Sequence, residues 1–150
     1  MLLALSNGES FATGANLYSF DPVPGEDVSA RIILQVLVEG QLTSAVLDTG
    51  APYLICSPSL SRHIGFDGEF ALSQHEILIR GYRVKGSLYR INLELIATEG
   101  EGLTLEVVAF VPDPDEAFNF PTFLGFLGCL EWTRFAVDPS SNTFYFGPHP

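Results

Sequence analysis

The chain has 150 residues, the size of one domain. Seven Lys and Arg stand against 18 Asp and Glu, a formal net charge of −11 at pH 7; this balance argues against binding nucleic-acid phosphates or an anionic membrane surface, both of which call for a basic face. Apolar residues are 47% of the chain and charged ones 17%, which supplies a packed core and excludes a disordered chain, while no apolar run approaches the roughly 20 residues of a membrane span.

The start, Met1-Leu2-Leu3-Ala4-Leu5, has no basic head and only a short apolar stretch, so no secretory signal is read there. Two cysteines, Cys56 and Cys129, make no disulfide framework. Free thiols and a cytoplasmic location are the default expectation. Residues 1–30 contain Asn7-Gly8, Thr13-Gly14 and Pro22 to Gly25. They read as a partly irregular N-terminal arm with one strand near Leu17 to Phe20.

From Arg31 the pattern sharpens. Ile32 to Val38 is β-branched and apolar, Glu39-Gly40-Gln41 turns, and Leu42 to Leu47 returns, which predicts a hairpin. Ser57 before Pro58, with Gly65 closing the run, predicts a short helix over 57–65. Ile77 to Ile79 and Tyr89 to Ala97 read as strands, with a glycine-punctuated hairpin tip between them. In Arg90-Ile91-Asn92-Leu93-Glu94-Leu95 apolar and polar residues alternate, the period of a half-buried strand. Leu103 to Val111 is a further strand, stopped by Pro112-Asp113-Pro114. Phe123 to Trp132 reads as a short strand entering a short helix, and Thr133 to Val137 with Thr143 to Phe146 as a closing hairpin around an Asp-Pro-Ser-Ser-Asn turn.

The expectation is an all-β domain over residues 31–147 with one or two short helices, preceded by the arm and followed by a tail at 148–150. Closing the sheet into a barrel-like form would remove its edges. Four of the seven positive residues, Arg80, Arg83, Lys85 and Arg90, fall at the predicted hairpin tip. They mark either a solvated hairpin or a basic flap over an acidic cleft.

Chemistry is concentrated in Ala45-Val46-Leu47-Asp48-Thr49-Gly50-Ala51, where an apolar strand ends in an acid, a hydroxyl and a glycine. The tripeptide alone should occur by chance in roughly a few per cent of chains this long. Its setting carries more weight. The strand delivers Asp48 to the end of the sheet, Thr49 can both donate and accept a hydrogen bond, and Gly50 has no Cβ to keep another backbone away.

In these residues the chain resembles the aspartic proteases, in particular the single-domain retropepsin-like ones. Val46-Leu47-Asp48-Thr49-Gly50-Ala51 is similar to the family's apolar-apolar-Asp-Thr-Gly-Ala signature. Phe123-Leu124-Gly125 is similar to its second signature, two apolar residues and a glycine. The hairpin Gly81-Tyr82-Arg83-Val84-Lys85-Gly86 takes the place of its flap.

The resemblance implies a closed, barrel-like acid-protease fold and a homodimer, since the chain holds one Asp-Thr-Gly where pepsin-type enzymes hold two. It implies Asp48 as the catalytic acid and Thr49, Gly50 and Ala51 as loop support. Phe123, Leu124 and Gly125 would pack behind the loop, residues 81–86 would cover a polypeptide substrate, and neither cofactor nor metal is needed. Two positions depart from the family pattern: Pro52, where a polar residue is usual, and Phe126, where an Arg often braces the dimer. With the added arm they leave an alternative open, a catalytically silent module that binds a peptide or partner strand.

Asp138 before Pro139 reads as a turn acid. Cys56, His63, His75 and Cys129 follow no compact zinc spacing.

Overall fold

The computed structural model describes residues 2–23, 29–116 and 118–150. Strands β1 (Leu3–Ala4) and β2 (Ser10–Ala12) pair antiparallel around the Asn7-Gly8 turn. Strands β3 (Gly14–Leu17) and β4 (Ser19–Pro22) follow, separated by the buried Tyr18. The single strand expected near Leu17 to Phe20 is therefore two, and they join different sheets. The break lies at a residue whose ring turns into the core, which local β-propensity does not reveal.

Strands β5 (Ala30–Val38) and β6 (Gln41–Leu47) form the predicted hairpin. Its two turn residues, Glu39 and Gly40, have φ of 47° and 78°, the paired positive values of a type I′ turn that matches strand twist. The Glu39 carboxylate also accepts the Asn92 backbone N–H at 2.8 Å, pinning the turn to the next layer. After β7 (Leu54–Ile55) comes helix α1 (Pro58–Ile64). Ser57 caps it, its hydroxyl accepting the Leu60 N–H at 3.0 Å. Gly65, at φ 72°, ends it in the left-handed conformation.

A 3-10 turn at Gly68–Phe70 leads into β8 (Ser73–Ile79), which pairs with the long β9 (Tyr82–Leu95). Strands β10 (Glu99–Gly100) and β11 (Leu103–Pro112) come next, then β12 (Thr122–Leu124) and a 3-10 turn at Leu130–Trp132. The closing hairpin is β13 (Thr133–Asp138) and β14 (Thr143–Pro148). Strand β14 takes in Pro148, and the His149 ring lies 2.6 Å from the Glu131 carbonyl oxygen. The expected tail at 148–150 is thus tied to the fold.

The main sheet runs β4-β5-β6-β12-β7-β11-β9-β8, and a further pairing of β5 with β9, Val36 to Leu95 through Val38 to Leu93, closes it. Six strands therefore circle a barrel, with β4 and β8 diverging from its ends. This is the all-β, closed form expected from the sequence. A second sheet, β10-β3-β14-β13, places β3 of the arm in its interior, against β14. Among the described residues, the arm is built into the fold through β3 and β4.

One core cluster fills the barrel around Leu34, Val36, Val38, Leu93, Leu95 and Leu124. A second, with Val46, Ile55, Ile77, Ile79, Val84 and Phe123, joins β6, β7 and β12 to the β8–β9 hairpin. It forms the floor of the site. Among the described residues no helix is long and apolar enough to cross a membrane.

Candidate active site

Asp48 follows the last residue of β6. Strand β6 is apolar at Ala45, Val46 and Leu47 because its inner face belongs to the core, and this delivers a carboxylate to the sheet's end, where it is only partly buried. Its Oδ1 accepts the Gly50 N–H at 3.1 Å, and its carbonyl accepts the Ala51 N–H at 3.1 Å. These local bonds curl residues 48–51 into a tight loop. A Cβ on Gly50 would stand 3.3 Å from Asp48 Oδ1, so any side chain there would press on the carboxylate. Thr49 and Gly50 are exposed on the outer side of the loop.

Strand β12 holds this loop from behind. It lies in the slot between β6 and β7, parallel to the first (Phe123 beside Val46, Leu124 beside Leu47) and antiparallel to the second (Leu124 beside Leu54). The Leu124 carbonyl accepts the Asp48 N–H at 2.9 Å. Gly125 donates to the Tyr53 carbonyl at 2.8 Å and Phe126 to the Ala51 carbonyl at 2.8 Å, while Tyr53 donates to the Leu127 carbonyl at 2.7 Å.

Gly125 is the tightest point. A Cβ there would collide with the Tyr53 carbonyl oxygen and come within 2.6 Å of that of Ala51. Residues 48–53 and 123–127, about 75 positions apart in sequence, thus form one hydrogen-bonded unit. Tyr53, at φ 62°, is strained for a ring-bearing side chain and marks where the loop is forced back into β7.

Asp48 opens onto a recess of about 120 Å³ lined by Arg31, Ala51, Ile55, Leu78, Ile79, Arg80 and Phe123. Its floor is apolar. Arg31 comes from the head of β5; Leu78, Ile79 and Arg80 come from the tip of the β8–β9 hairpin. That tip is a two-residue turn, Arg80-Gly81, with φ of 52° and 83°.

Of the flap residues named from sequence, Gly81 and Tyr82 are at the tip and the others lie along β9. Val84 and Gly86 are buried, and a Cβ on Gly86 would strike the Val111 carbonyl oxygen and the Phe110 ring. The tip therefore spans a shorter stretch than the glycines suggested, because Gly86 serves a strand crossing rather than a turn. Tyr82 stacks on Phe118 at 4.5 Å between ring centroids and does not line the recess.

The positive cluster also divides. Arg83 pairs with Glu76 at 3.7 Å and Arg90 with Glu106 at 3.5 Å, all on solvated strand faces, and such pairs contribute little. Lys85 is exposed. Of the four, only Arg80 reaches the recess.

Arg31 was not singled out from sequence, although the hairpin register holds the signal. Paired positions of β5 and β6 sum to 79, as in Ile33 with Val46 and Val38 with Gln41. Carried two positions further, that register sets Arg31 opposite Asp48.

The other titratable candidates lie elsewhere. Cys56 and Cys129 are buried in the barrel core. Burial pushes both thiols up to about 12, so neither is a thiolate at ordinary pH. Asp138 accepts from Ser140 N–H, Ser140 Oγ and Ser141 Oγ within its own turn.

No protein-family model and no curated protein matches the chain. Among solved structures it is similar to a retropepsin-like aspartic protease from Rickettsia conorii, with 14% sequence identity, 89% of each chain covered and a TM-score of 0.56. The likeness is one of fold. It covers nearly the whole chain, so the retropepsin-like fold is shared over most of its length.

Proposed function

We propose that the chain is a homodimeric aspartic endopeptidase that hydrolyses peptide bonds with a water held between two Asp48 carboxyls, one from each copy. The observation that carries this reading is the clamp at Asp48. A carboxylate at a strand end accepts a bond from its own loop, that loop's backbone is tied to Leu124 and Gly125, and the carboxylate faces a recess with an apolar floor under a hairpin tip. The i+2 bond alone is shared with turn acids such as Asp138; the tie to a strand about 75 positions away and the recess are what a plain turn acid does not need.

Peptide hydrolysis by this route needs one ionised carboxylate to take a proton from water and one protonated carboxyl to give a proton to the carbonyl oxygen. Two identical carboxyls about 3 Å apart cannot both ionise, so a symmetric pair shares one proton and supplies both roles. No covalent intermediate forms. One Asp48 per chain supplies half the pair, so the site is complete only across a two-fold axis.

The exposed face of the loop suits that axis. Thr49 offers its hydroxyl for a hydrogen bond across it, and Gly50 lets the two loops come close. Phe126 and Leu127, 43% and 53% exposed, sit just behind the loop and give the contact apolar area where the family often has an Arg. Residues 31–147 carry the catalytic unit, and strands β1 to β4 of the arm support it. The substrate is an extended polypeptide beneath the β8–β9 tip, whose closure would exclude bulk water.

A cleavage assay from pH 3 to 7 tests this, with and without pepstatin. The expected result is pepstatin-sensitive cleavage at the acid end of the range, abolished in Asp48→Asn with an unchanged melting temperature. Asp48→Asn cutting as fast as wild type would end the proposal.

A further inference from the structure

The recess beside Asp48 has an unusual charge for this molecule. The chain carries 18 acids and seven bases, yet two of the seven, Arg31 and Arg80, line this one recess, and among the described residues Asp48 is the one acid in its lining. The two arginines come from different elements: Arg31 from the head of β5, where the β5–β6 register carried two positions on would set it opposite Asp48, and Arg80 from the hairpin tip. Ile55, Ile79 and Phe123, which carry no polar side-chain atoms, line the same recess.

We infer that this recess reads an acidic side chain, and that the peptides it takes carry Asp or Glu within two residues of the bond to be cut. The inference rests on the protease reading for the word "cut", but the recognition itself needs only the recess. An apolar floor strips water from the chain's methylene stem, and the two guanidinium groups of the lining answer its carboxylate. Such charge-assisted bonds are about twice as strong as neutral ones, and the planar guanidinium matches a carboxylate with two parallel N–H donors.

Both arginines already have contacts within the chain. A guanidinium has five N–H donors in a fixed fork, so it can keep an internal partner and still bind a ligand. In a two-fold dimer each copy contributes its own pair, so an acid is read on either side of the cut bond. The strongly negative remainder of the molecule repels acidic peptides at long range, so selection falls to these two residues at contact distance.

The test uses two fluorescent peptides, identical except for Glu or Gln beside a central apolar pair. Their binding to the full-length Asp48→Asn protein is measured at about pH 6, where a Glu side chain of ordinary pKa about 4.3 is ionised. Cleavage of both by wild type is measured in parallel. The expected result is about tenfold tighter binding of the Glu peptide, a smaller preference when Arg80→Gln is added, and none when Arg31→Gln is also present. Arg90→Gln, further along β9 and paired with Glu106, leaves the preference intact. Should the double change fail to fold, Arg80→Gln, at an exposed turn, carries the test alone.

Equal binding of the two peptides, binding of neither, or a preference that survives removal of the arginines overturns the inference. Cleavage of both peptides at equal rates would sink the acid preference and keep the protease. A Glu preference in binding with no cleavage by wild type would do the reverse.

Discussion

Gly125 lacks a side chain because backbone atoms of residues 51–53 occupy the space where one would go. The Phe-Leu-Gly motif is therefore a packing requirement for the loop that carries Asp48, and the requirement is felt 77 positions away in sequence. Gly125→Ala forces the Tyr53 and Ala51 carbonyls outward and breaks the Gly125–Tyr53 and Phe126–Ala51 bonds that brace the loop carrying Asp48. Its expected cost is about 3 kcal/mol, at the upper end for overpacking because the obstacle is backbone. Urea unfolding should show a lower midpoint with an unchanged slope. A wild-type midpoint would mean that the loop relaxes freely and that the clamp is loose.

Asp138 makes a similar point about acids. Bonds from the Ser140 hydroxyl, the Ser140 N–H and the Ser141 hydroxyl hold its carboxyl below the usual Asp range. A folded-state pKa below the unfolded value adds stability that is complete above about pH 3.9 and is lost as the pH falls through the folded value. Melting curves of wild type and Asp138→Asn should therefore differ above about pH 4 and converge below it. A gap that stays constant down to pH 2 would show that the charge contributes nothing.

At the scale of elements, the β8–β9 hairpin has two parts with different duties. Its inner residues Ile77, Ile79 and Val84 belong to the core cluster that floors the site, whereas Leu78, Arg80 and Tyr82 stay exposed at the tip. A methyl at Gly86 meets Val111 and Phe110, while one at Gly81 meets open space but must adopt φ 83°.

The two alanine substitutions should separate cleanly. Gly86→Ala lowers global stability by about 1–3 kcal/mol. Gly81→Ala puts about 1–2 kcal/mol of strain into the turn, lowers the unfolding midpoint by a comparable amount unless the tip opens locally, and slows peptide cleavage. Hydrogen exchange along β8 and β9 measures the difference. The same exchange profile in both variants would erase the distinction between base and tip.

Across the whole molecule, much of the plan is visible in local sequence. The type I′ turn at Glu39-Gly40, the Ser57 cap and Gly65 stop, and the alternation through Arg90 to Leu95 each fix an element from neighbouring residues alone. So does the strand that ends in Asp48. What stays hidden is set by residues far apart. Strand β7 is two residues long and β12 three, and neither has a period to read; each exists because the other, with β6 and β11, completes its hydrogen bonds. The interior place of β3 depends on β14, more than 120 positions later. The arginines of the recess lie in between: hairpin register places Arg31, but only the packed tip places Arg80 beside it.

The two-copy site is tested most directly by mixing wild type with inactive Asp48→Asn and letting the subunits exchange. If each active centre takes one Asp48 from each chain, a ninefold excess of the variant leaves about one tenth of the wild-type chains paired with their own kind, and cleavage falls to about one tenth. Cleavage unaffected by the excess would mean that one chain carries the whole reaction by itself.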